Sequence, residues 1–292
     1  MEVSFVALDR DAARSERRTL VQISKELAED HRKYGAIWAD SEMKVVVQPI
    51  VSDITELWIN GSKISKDEMM MVKELGFKID LNTGRLIYSG NFIPLRLSND
   101  TWLIRHGETY INASQEKRFQ GQANKEQNQL TENGKLQARE AAEELCARFS
   151  DDINQDKLSI LISPLDRAKE TAAEFLTRVR NQFFKELVPI NDPGLKEINF
   201  GEWENLAENE IKSHFGDEMT ILAQKYRAGD VFVKASSGES FIEFLYRVKL
   251  FMQNINKKYM GKRVILFGHG TFLKALQVLT FLKQFEAIFE FV

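Results

Sequence analysis

Three short apolar stretches of this chain each end in residues that suit the handling of phosphate. The polar residues that follow them are Arg105-His106-Gly107, Ser163-Pro164-Leu165-Asp166-Arg167 and Gly268-His269-Gly270. An arginine guanidinium can hold phosphoryl oxygens through two hydrogen bonds, and a neutral imidazole nitrogen can attack phosphorus. The residue types therefore suit phosphoryl transfer with a histidine such as His106 as the nucleophile, whereas Arg105-His106-Gly107 taken alone also fits an ordinary loop with His106 at the surface.

The elements around these residues have to bring them together. From Thr101 the chain alternates between strand and helix patterns, which is typical of a mostly parallel sheet with helices on both faces. We predict strands over 101–104, 158–162 and 263–267 and within 183–190, with a last edge strand over 285–292. Predicted helices begin near Thr131, after Arg167, near 205 and 217, after Ser240 and at Phe272. Because ligands of open α/β sheets bind at the carboxyl ends of the strands, the three polar segments are expected at one edge.

The first part of the chain has a different pattern. Residues 9–34 have helical spacing, residues 43–50 and 56–59 read as strands, and Ser65 with Glu68 forms a capping box for a helix over 66–75. Residues 77–88 read as a hairpin. We therefore divide the chain into a small α+β unit, 1–98, of unknown role and a catalytic domain, 99–292. A protein partner or self-association through residues 1–98 stays open.

Composition excludes several classes of function. The net charge of −3 gives no electrostatic footprint for nucleic acid, and no run approaches the 18 apolar residues that a membrane span needs. The first residues lack a basic segment followed by a long apolar one, so we expect a cytoplasmic protein. The sequence contains no His, Cys and Asp cluster with metal-ligand spacing, so we expect neither a metal nor a cofactor.

Further motifs carry a resemblance to a known family. They are Arg105-His106-Gly107-Glu108-Thr109 with Asn112, Arg118-Phe119-Gln120-Gly121-Gln122, Leu130-Thr131 with Gly134, Ser163-Pro164-Leu165 with Arg167, Leu195 with Glu197, Phe200-Gly201-Glu202-Trp203-Glu204, Gly238-Glu239-Ser240 and Gly268-His269-Gly270. Together they resemble the histidine phosphatase superfamily, the phosphoglycerate mutase-like family, over about residues 99–285.

The resemblance implies both a fold and a mechanism. The fold is the phosphoglycerate mutase-like α/β fold, and His106 would form a phosphohistidine without a metal. Arg105, Arg167 and His269 would neutralise the phosphoryl oxygens, and Glu197 would act as the acid and base. The remaining phosphate or substrate contacts would be Asn112, Gln120, Gly121 and Gly270.

Some assignments near the site remain open at this point. Glu202 and Glu204 lie close to Glu197 in sequence, and Glu239 is either a helix-cap residue or a ligand contact. The stretch 123–129 is longer and more polar than the family loop, which leaves its substrate contacts undefined. The chain ends soon after the last predicted helix, so one side of the pocket is expected to be more open or completed by residues 1–98.

Four functions are compatible with these residues. The segment 196–204 resembles the phosphatase branch more than the mutases, so we favour a phosphomonoesterase acting on a small phosphorylated substrate such as a sugar phosphate or phosphoglycerate-like acid. A phosphoglycerate-type mutase and a phosphoprotein phosphatase are the alternatives within the family. An inactive scaffold that works through residues 1–98 is the alternative outside it, although all five expected catalytic residues are present.

Overall fold

A four-stranded sheet organises the part of the chain that carries the candidate site. The computed structural model describes residues 37–39, 45–47, 57–59, 62–80, 85–88, 95–97, 99–227 and 230–280. The strands are β1 (Ile37–Ala39), β2 (Val45–Val47), β3 (Leu57–Ile59), β4 (Ser62–Ile64), β5 (Phe77–Asp80), β6 (Arg85–Tyr88), β7 (Asp100–Arg105), β8 (Leu158–Ile162), β9 (Ile190–Asn191) and β10 (Arg263–Gly268). The helices are α1 (Lys66–Glu74), α2 (Tyr110–Ala113), α3 (Glu132–Arg148), α4 (Ser150–Asn154), α5 (Asp166–Phe183), α6 (Glu208–Arg227), α7 (Phe241–Lys258) and α8 (Gly270–Leu279).

The strands of this sheet run parallel, in the order β7-β10-β8-β9. Phe267 on the central strand β10 pairs with Ile104 on one side and with Ile162 on the other. The register therefore brings the carboxyl ends of β7, β8 and β10 to the same edge. This arrangement confirms the predicted α/β class and the convergence of the three polar segments.

Alternating side chains cover the sheet on both faces. Ile265 and Phe267 pack with α3 and α5 in one hydrophobic cluster, whereas Val264 and Leu266 belong to a second cluster with α7 and α8. Successive residues of a strand point to opposite faces of the sheet. A sheet that helices cover on both faces therefore has apolar residues at successive positions of its strands. The helices on the two faces hold the carboxyl edge of the sheet rigidly in place.

Most predicted boundaries in this region are confirmed. Strand β8 has the predicted bounds, and Thr131 caps α3 by accepting a hydrogen bond from the Gly134 amide at 2.9 Å. Gly216 has a φ of 82°, and it kinks α6 between the two helical stretches that were predicted separately. The kink needs a positive φ at residue 216, and glycine adopts a positive φ at little energetic cost because it has no Cβ.

Two of the boundaries that differ from the prediction have a direct physical reason. The strand expected within 183–190 begins only at Ile190, because α5 continues to Phe183 and the pairing with β8 starts at Leu161 and Ile190. Helix α8 begins at Gly270, two residues before the predicted start, because His269 itself occupies the N-cap position. The predicted helix over 9–34 and the edge strand over 285–292 lie outside the described residues.

Helix α1, which precedes β7 in the chain, packs against α7. Helix α1 has the predicted capping box between Ser65 and Glu68, and β5 pairs with β6 as the predicted hairpin. Val72 belongs to the hydrophobic cluster that includes α7, and the Tyr246 hydroxyl of α7 donates to the Glu74 carboxylate at 2.5 Å. Helix α1 is therefore seated on α7. None of the helices in the described ranges combines the length and the apolar character that crossing a membrane requires.

Candidate active site

His106 follows the last residue of β7 and is buried, with 7% of its surface exposed. Its Nδ1 lies 2.8 Å from the Gly107 carbonyl oxygen, and Arg167 Nε donates to its Nε2 at 3.3 Å. Since a carbonyl only accepts and a guanidinium only donates, the proton is on Nδ1 and the lone pair is on Nε2. Burial, together with the charges of Arg167 and Arg105, lowers the pKa of His106 to about 3. The ring is therefore neutral near pH 7, which is the form that a nucleophile needs.

Close backbone packing shapes the turn after His106. The Gly107 amide donates to Thr171 Oγ1 at 3.1 Å, and Thr171 Oγ1 donates in turn to the Arg167 carbonyl oxygen at 2.8 Å. A Cβ on Gly107 would lie 2.3 Å from the carbonyl oxygen of Gly134 in α3. The turn therefore accepts only glycine at position 107, and α3 fixes its position.

Arg167 lies in the first turn of α5 and is fully buried. Besides contacting His106, its guanidinium donates to the carbonyl oxygens of Gly121 at 2.6 Å and Ala123 at 3.0 Å. Burial lowers the pKa of Arg167 to about 10, against the opposing charges of Glu197 and Glu204. The side chain therefore stays cationic near pH 7 and is directed at His106 by the 121–123 loop.

His269 is completely buried between the ends of the strands. Its ring centroid is 5.3 Å from that of His106, and its Nε2 is 2.7 Å from Ser163 Oγ at the end of β8. Burial, and after it the charge of Arg167, lowers the pKa of His269 well below 6.5. The structure thus brings His106, Arg167 and His269 together at the carboxyl edge of the sheet.

Arg105 and the two predicted amide contacts lie at the outer side of this group. Arg105 is exposed, and a Cβ on Gly270 would lie 3.3 Å from its Nε, so the guanidinium passes over the Gly270 backbone. Gln120 Nε2 donates to Thr109 Oγ1 at 3.0 Å, and Asn112 Nδ2 donates to Gln120 Oε1 at 3.5 Å. Asn112 and Gln120 therefore contact each other, and their phosphate contacts stay a prediction, as do those of Gly121 and Gly270.

The structure distinguishes the three glutamates that follow Leu195. Glu197 is buried, and it accepts from the Ile198 amide at 3.0 Å and from the Thr271 amide, two residues after His269, at 3.1 Å. Glu204 instead accepts from backbone amides of the two neighbouring loops, and burial raises its pKa. Glu202 is exposed. Glu197 is therefore the carboxyl group that lies beside His269.

Arg247 of α7 holds the loop that carries Glu197, and the sequence analysis did not find it. Its guanidinium donates to the carbonyl oxygens of Gly194 at 3.0 Å, Lys196 at 3.2 Å and Glu197 at 3.2 Å. It also forms two hydrogen bonds with the Glu239 carboxylate, at 2.7 and 2.9 Å. Ser240 caps α7, so Glu239 is not the cap residue in this structure, and a ligand contact of Glu239 stays a prediction. The Gly-Glu-Ser motif was the only sequence signal of the contact between Arg247 and Glu239.

The ionisable side chains at the site do not form a metal-ligand set. In the part of the chain that the structure describes, no three His, Cys, Asp or Glu side chains come together as a metal-ion site. The positive charge that faces His106 comes from the two arginines. The arrangement therefore contains a neutral imidazole, cationic side chains and a carboxyl group, which are the parts that phosphoryl transfer through a histidine needs.

Comparisons with known proteins agree with this chemistry. A family model of the histidine phosphatase superfamily (branch 1) matches residues 101–291. Mannitol-1-phosphatase of Eimeria tenella is 36% identical over 159 residues, which make up 53% of this chain and 48% of that protein. The metal-independent phosphoserine phosphatase of Arabidopsis thaliana is 31% identical over 179 residues, or 60% and 65%. The chain thus spans less than two thirds of either relative.

One similar solved structure is the mycobacterial glucosyl-3-phosphoglycerate phosphatase. It is 26% identical, with a TM-score of 0.44, over 60% of this chain and 76% of that one.

Proposed function

Because the chain belongs to the histidine phosphatase superfamily, we propose that it hydrolyses small phosphate monoesters through a phosphohistidine on His106. The observation that carries the proposal is the state of the His106 ring. It is buried and neutral, its Nδ1–H is bonded to the Gly107 carbonyl oxygen, and its Nε2 faces Arg167. An imidazole held in this tautomer has its nucleophilic lone pair on Nε2, beside a cation that attracts a phosphoryl group.

In the first step, His106 Nε2 attacks phosphorus, and the bond to the leaving oxygen breaks. Arg105, Arg167 and His269 stabilise the charge on the three equatorial oxygens, and Glu197 gives its proton to the leaving alcohol. Preorganised groups of this kind typically contribute about 3 kcal/mol each to the transition state. The buried position of Arg167 supports this role, because charge interactions are stronger where water is excluded.

In the second step, water replaces the histidine on phosphorus. Glu197, now ionised, takes a proton from the water, the oxygen attacks phosphorus, and the bond to Nε2 breaks. Inorganic phosphate leaves, and the neutral ring of His106 is restored. Glu197 needs a fixed position for both steps, and its bonds to the Ile198 and Thr271 amides support that requirement.

We assign the substrate to the class of small, hydrophilic metabolites with one phosphate ester. The relatives named above act on mannitol 1-phosphate and phosphoserine, as their names state. The side-chain amides of Asn112 in α2 and of Gln120 and Gln122 in the loop that follows lie beside the site, and amides suit hydroxyl-bearing substrates.

A substrate panel tests the proposal. We would measure phosphate release from p-nitrophenyl phosphate, mannitol 1-phosphate, phosphoserine and 3-phosphoglycerate, with EDTA present, for the wild type and for His106→Asn. We expect hydrolysis of at least one metabolite by the wild type alone, unaffected by EDTA. Isomerisation of 3-phosphoglycerate without phosphate release would instead indicate a mutase. Activity that EDTA abolishes would contradict the metal-free mechanism.

A further inference from the structure

His269 has one partnered and one unpartnered ring nitrogen, although the whole residue is buried. Nε2 is 2.7 Å from Ser163 Oγ. Nδ1 is enclosed, and no other described residue supplies it with a hydrogen-bond partner. Buried polar atoms in folded proteins nearly always have a partner, so an enclosed and unpaired nitrogen beside a nucleophile indicates a position for a ligand atom.

The partners of Ser163 define the direction of its bond to His269. Ser163 Oγ also accepts from the Leu165 amide at 3.4 Å, so its own proton is free to be donated to Nε2. Burial keeps the His269 ring neutral, and a neutral ring carries a single proton. With Nε2 as an acceptor, that proton lies on Nδ1.

A hydrogen bond in the opposite direction, from His269 Nε2 to Ser163 Oγ, does not suit an anionic substrate. If Nε2 donated to Ser163, the hydroxyl proton would lack an acceptor among the described residues, and Nδ1 would present a lone pair to the phosphoryl oxygens. Two groups that only accept repel each other. The observed pairing therefore fits a hydrogen bond from the Ser163 hydroxyl to His269 Nε2 and a second one from His269 Nδ1–H to a phosphoryl oxygen.

On the basis of the proposed function, we propose that Ser163 is a positioning residue that keeps the proton of His269 on Nδ1. In this tautomer, His269 donates a hydrogen bond to the phosphoryl group while His106 attacks it. Ser163 acts through His269 and does not touch the substrate itself.

The fold holds Ser163 firmly in this position. Ser163 is fully buried, and its amide donates to the Phe267 carbonyl oxygen at 2.9 Å. This bond continues the pairing of β8 with β10 by one step, and His269 follows two residues after Phe267. The distance between the hydroxyl and the imidazole is thus set by the sheet, in the way that orienting partners fix catalytic histidines elsewhere.

Nitrogen NMR of the resting protein tests the tautomer without depending on turnover. The chain has four histidines, so selective ¹⁵N-histidine labelling gives few signals, and the signal of His269 is identified by its loss in His269→Asn. We expect a protonated Nδ1 and an unprotonated Nε2 in the wild type, with Nδ1 shifting when inorganic phosphate is added. A protonated Nε2 in the wild type would overturn the inference.

A double-mutant cycle separates positioning from mere packing. We expect Ser163→Ala to lower kcat/KM for p-nitrophenyl phosphate about tenfold, as the loss of one hydrogen bond in the transition state would. In the His269→Asn background the same change should have no further effect, because an asparagine has no tautomers. An equal loss in both backgrounds would overturn the inference. A wild type that neither hydrolyses esters nor binds phosphate would refute the proposed function instead, since the tautomer is read independently.

Discussion

Replacing Arg167 by methionine is expected to remove activity while leaving the stability of the fold nearly unchanged. Arg167 is fully buried and contacts both His106 and the 121–123 loop. Substitution of a buried residue usually lowers the stability of the fold. A substitution of Arg167 that lowers activity alone would therefore be evidence that its buried charge serves catalysis. Methionine has a similar length and fills the space without a charge.

The expected change in stability follows from two opposing effects. Burial lowers the pKa of Arg167 from its ordinary value to about 10, which means that burial of the cation destabilises the folded state by roughly 3 kcal/mol. Methionine removes that penalty but leaves the carbonyl oxygens of Gly121 and Ala123 without a donor, at about 1 kcal/mol each. The free energy of unfolding should therefore change by no more than about 2 kcal/mol.

The expected change in activity is much larger. Loss of a preorganised donor to the transition state lowers the rate by about 100-fold to 1000-fold. We would compare kcat/KM for p-nitrophenyl phosphate and urea unfolding curves for the wild type, Arg167→Met and Arg167→Lys. The lysine variant keeps the charge but loses the planar fork, so it should fall between the other two in activity. Retained activity in Arg167→Met, or destabilisation above about 4 kcal/mol, would refute the reasoning.

Three further predictions concern other parts of the site. Since the pKa of His106 is about 3 in the folded state, the unfolded state takes up a proton first, and His106 alone should lower the free energy of unfolding by about 2 kcal/mol from about pH 7.5 to about pH 5. His106→Asn should lose this contribution and keep that of His269, whose pKa is also lowered, so its slope should be shallower; identical slopes in urea unfolding would contradict it. Arg247→Met should slow alkyl phosphates more than p-nitrophenyl phosphate, because it frees the Glu197 loop; equal losses would indicate a different role. Gly107→Ala should destabilise the fold by a few kcal/mol, measured by urea unfolding, because its Cβ meets the Gly134 carbonyl oxygen; unchanged stability would disprove the contact.

The carboxyl edge of the sheet was predictable from the sequence. The strands 101–104, 158–162 and 263–267 are mostly apolar runs that end abruptly in polar residues, and their length of four or five residues favours strands over helices. The parallel order then follows from the helices between the strands. Placing His106, Arg167 and His269 at one edge required only this topology.

The contacts that orient these residues were not predictable. Arg247 reaches the Glu197 loop from a helix that begins more than 40 residues later, and Ser163 meets His269 across more than 100 residues. Such pairs depend on how helices and loops pack, which local periodicity does not encode. For the same reason the sequence left Glu239 as either a helix-cap residue or a ligand contact. Its partner in the structure, Arg247, lies two helical turns further along the chain.

Trapping of the phosphoenzyme tests the central claim most directly. Enzyme would be mixed with stoichiometric p-nitrophenyl phosphate, quenched in alkali at increasing times, and digested for tandem mass spectrometry, because phosphohistidine survives alkali. The account predicts a phosphate on His106 that appears with the burst of p-nitrophenol and is absent from His106→Asn. Turnover without a phosphopeptide, or phosphate on another residue, would contradict it.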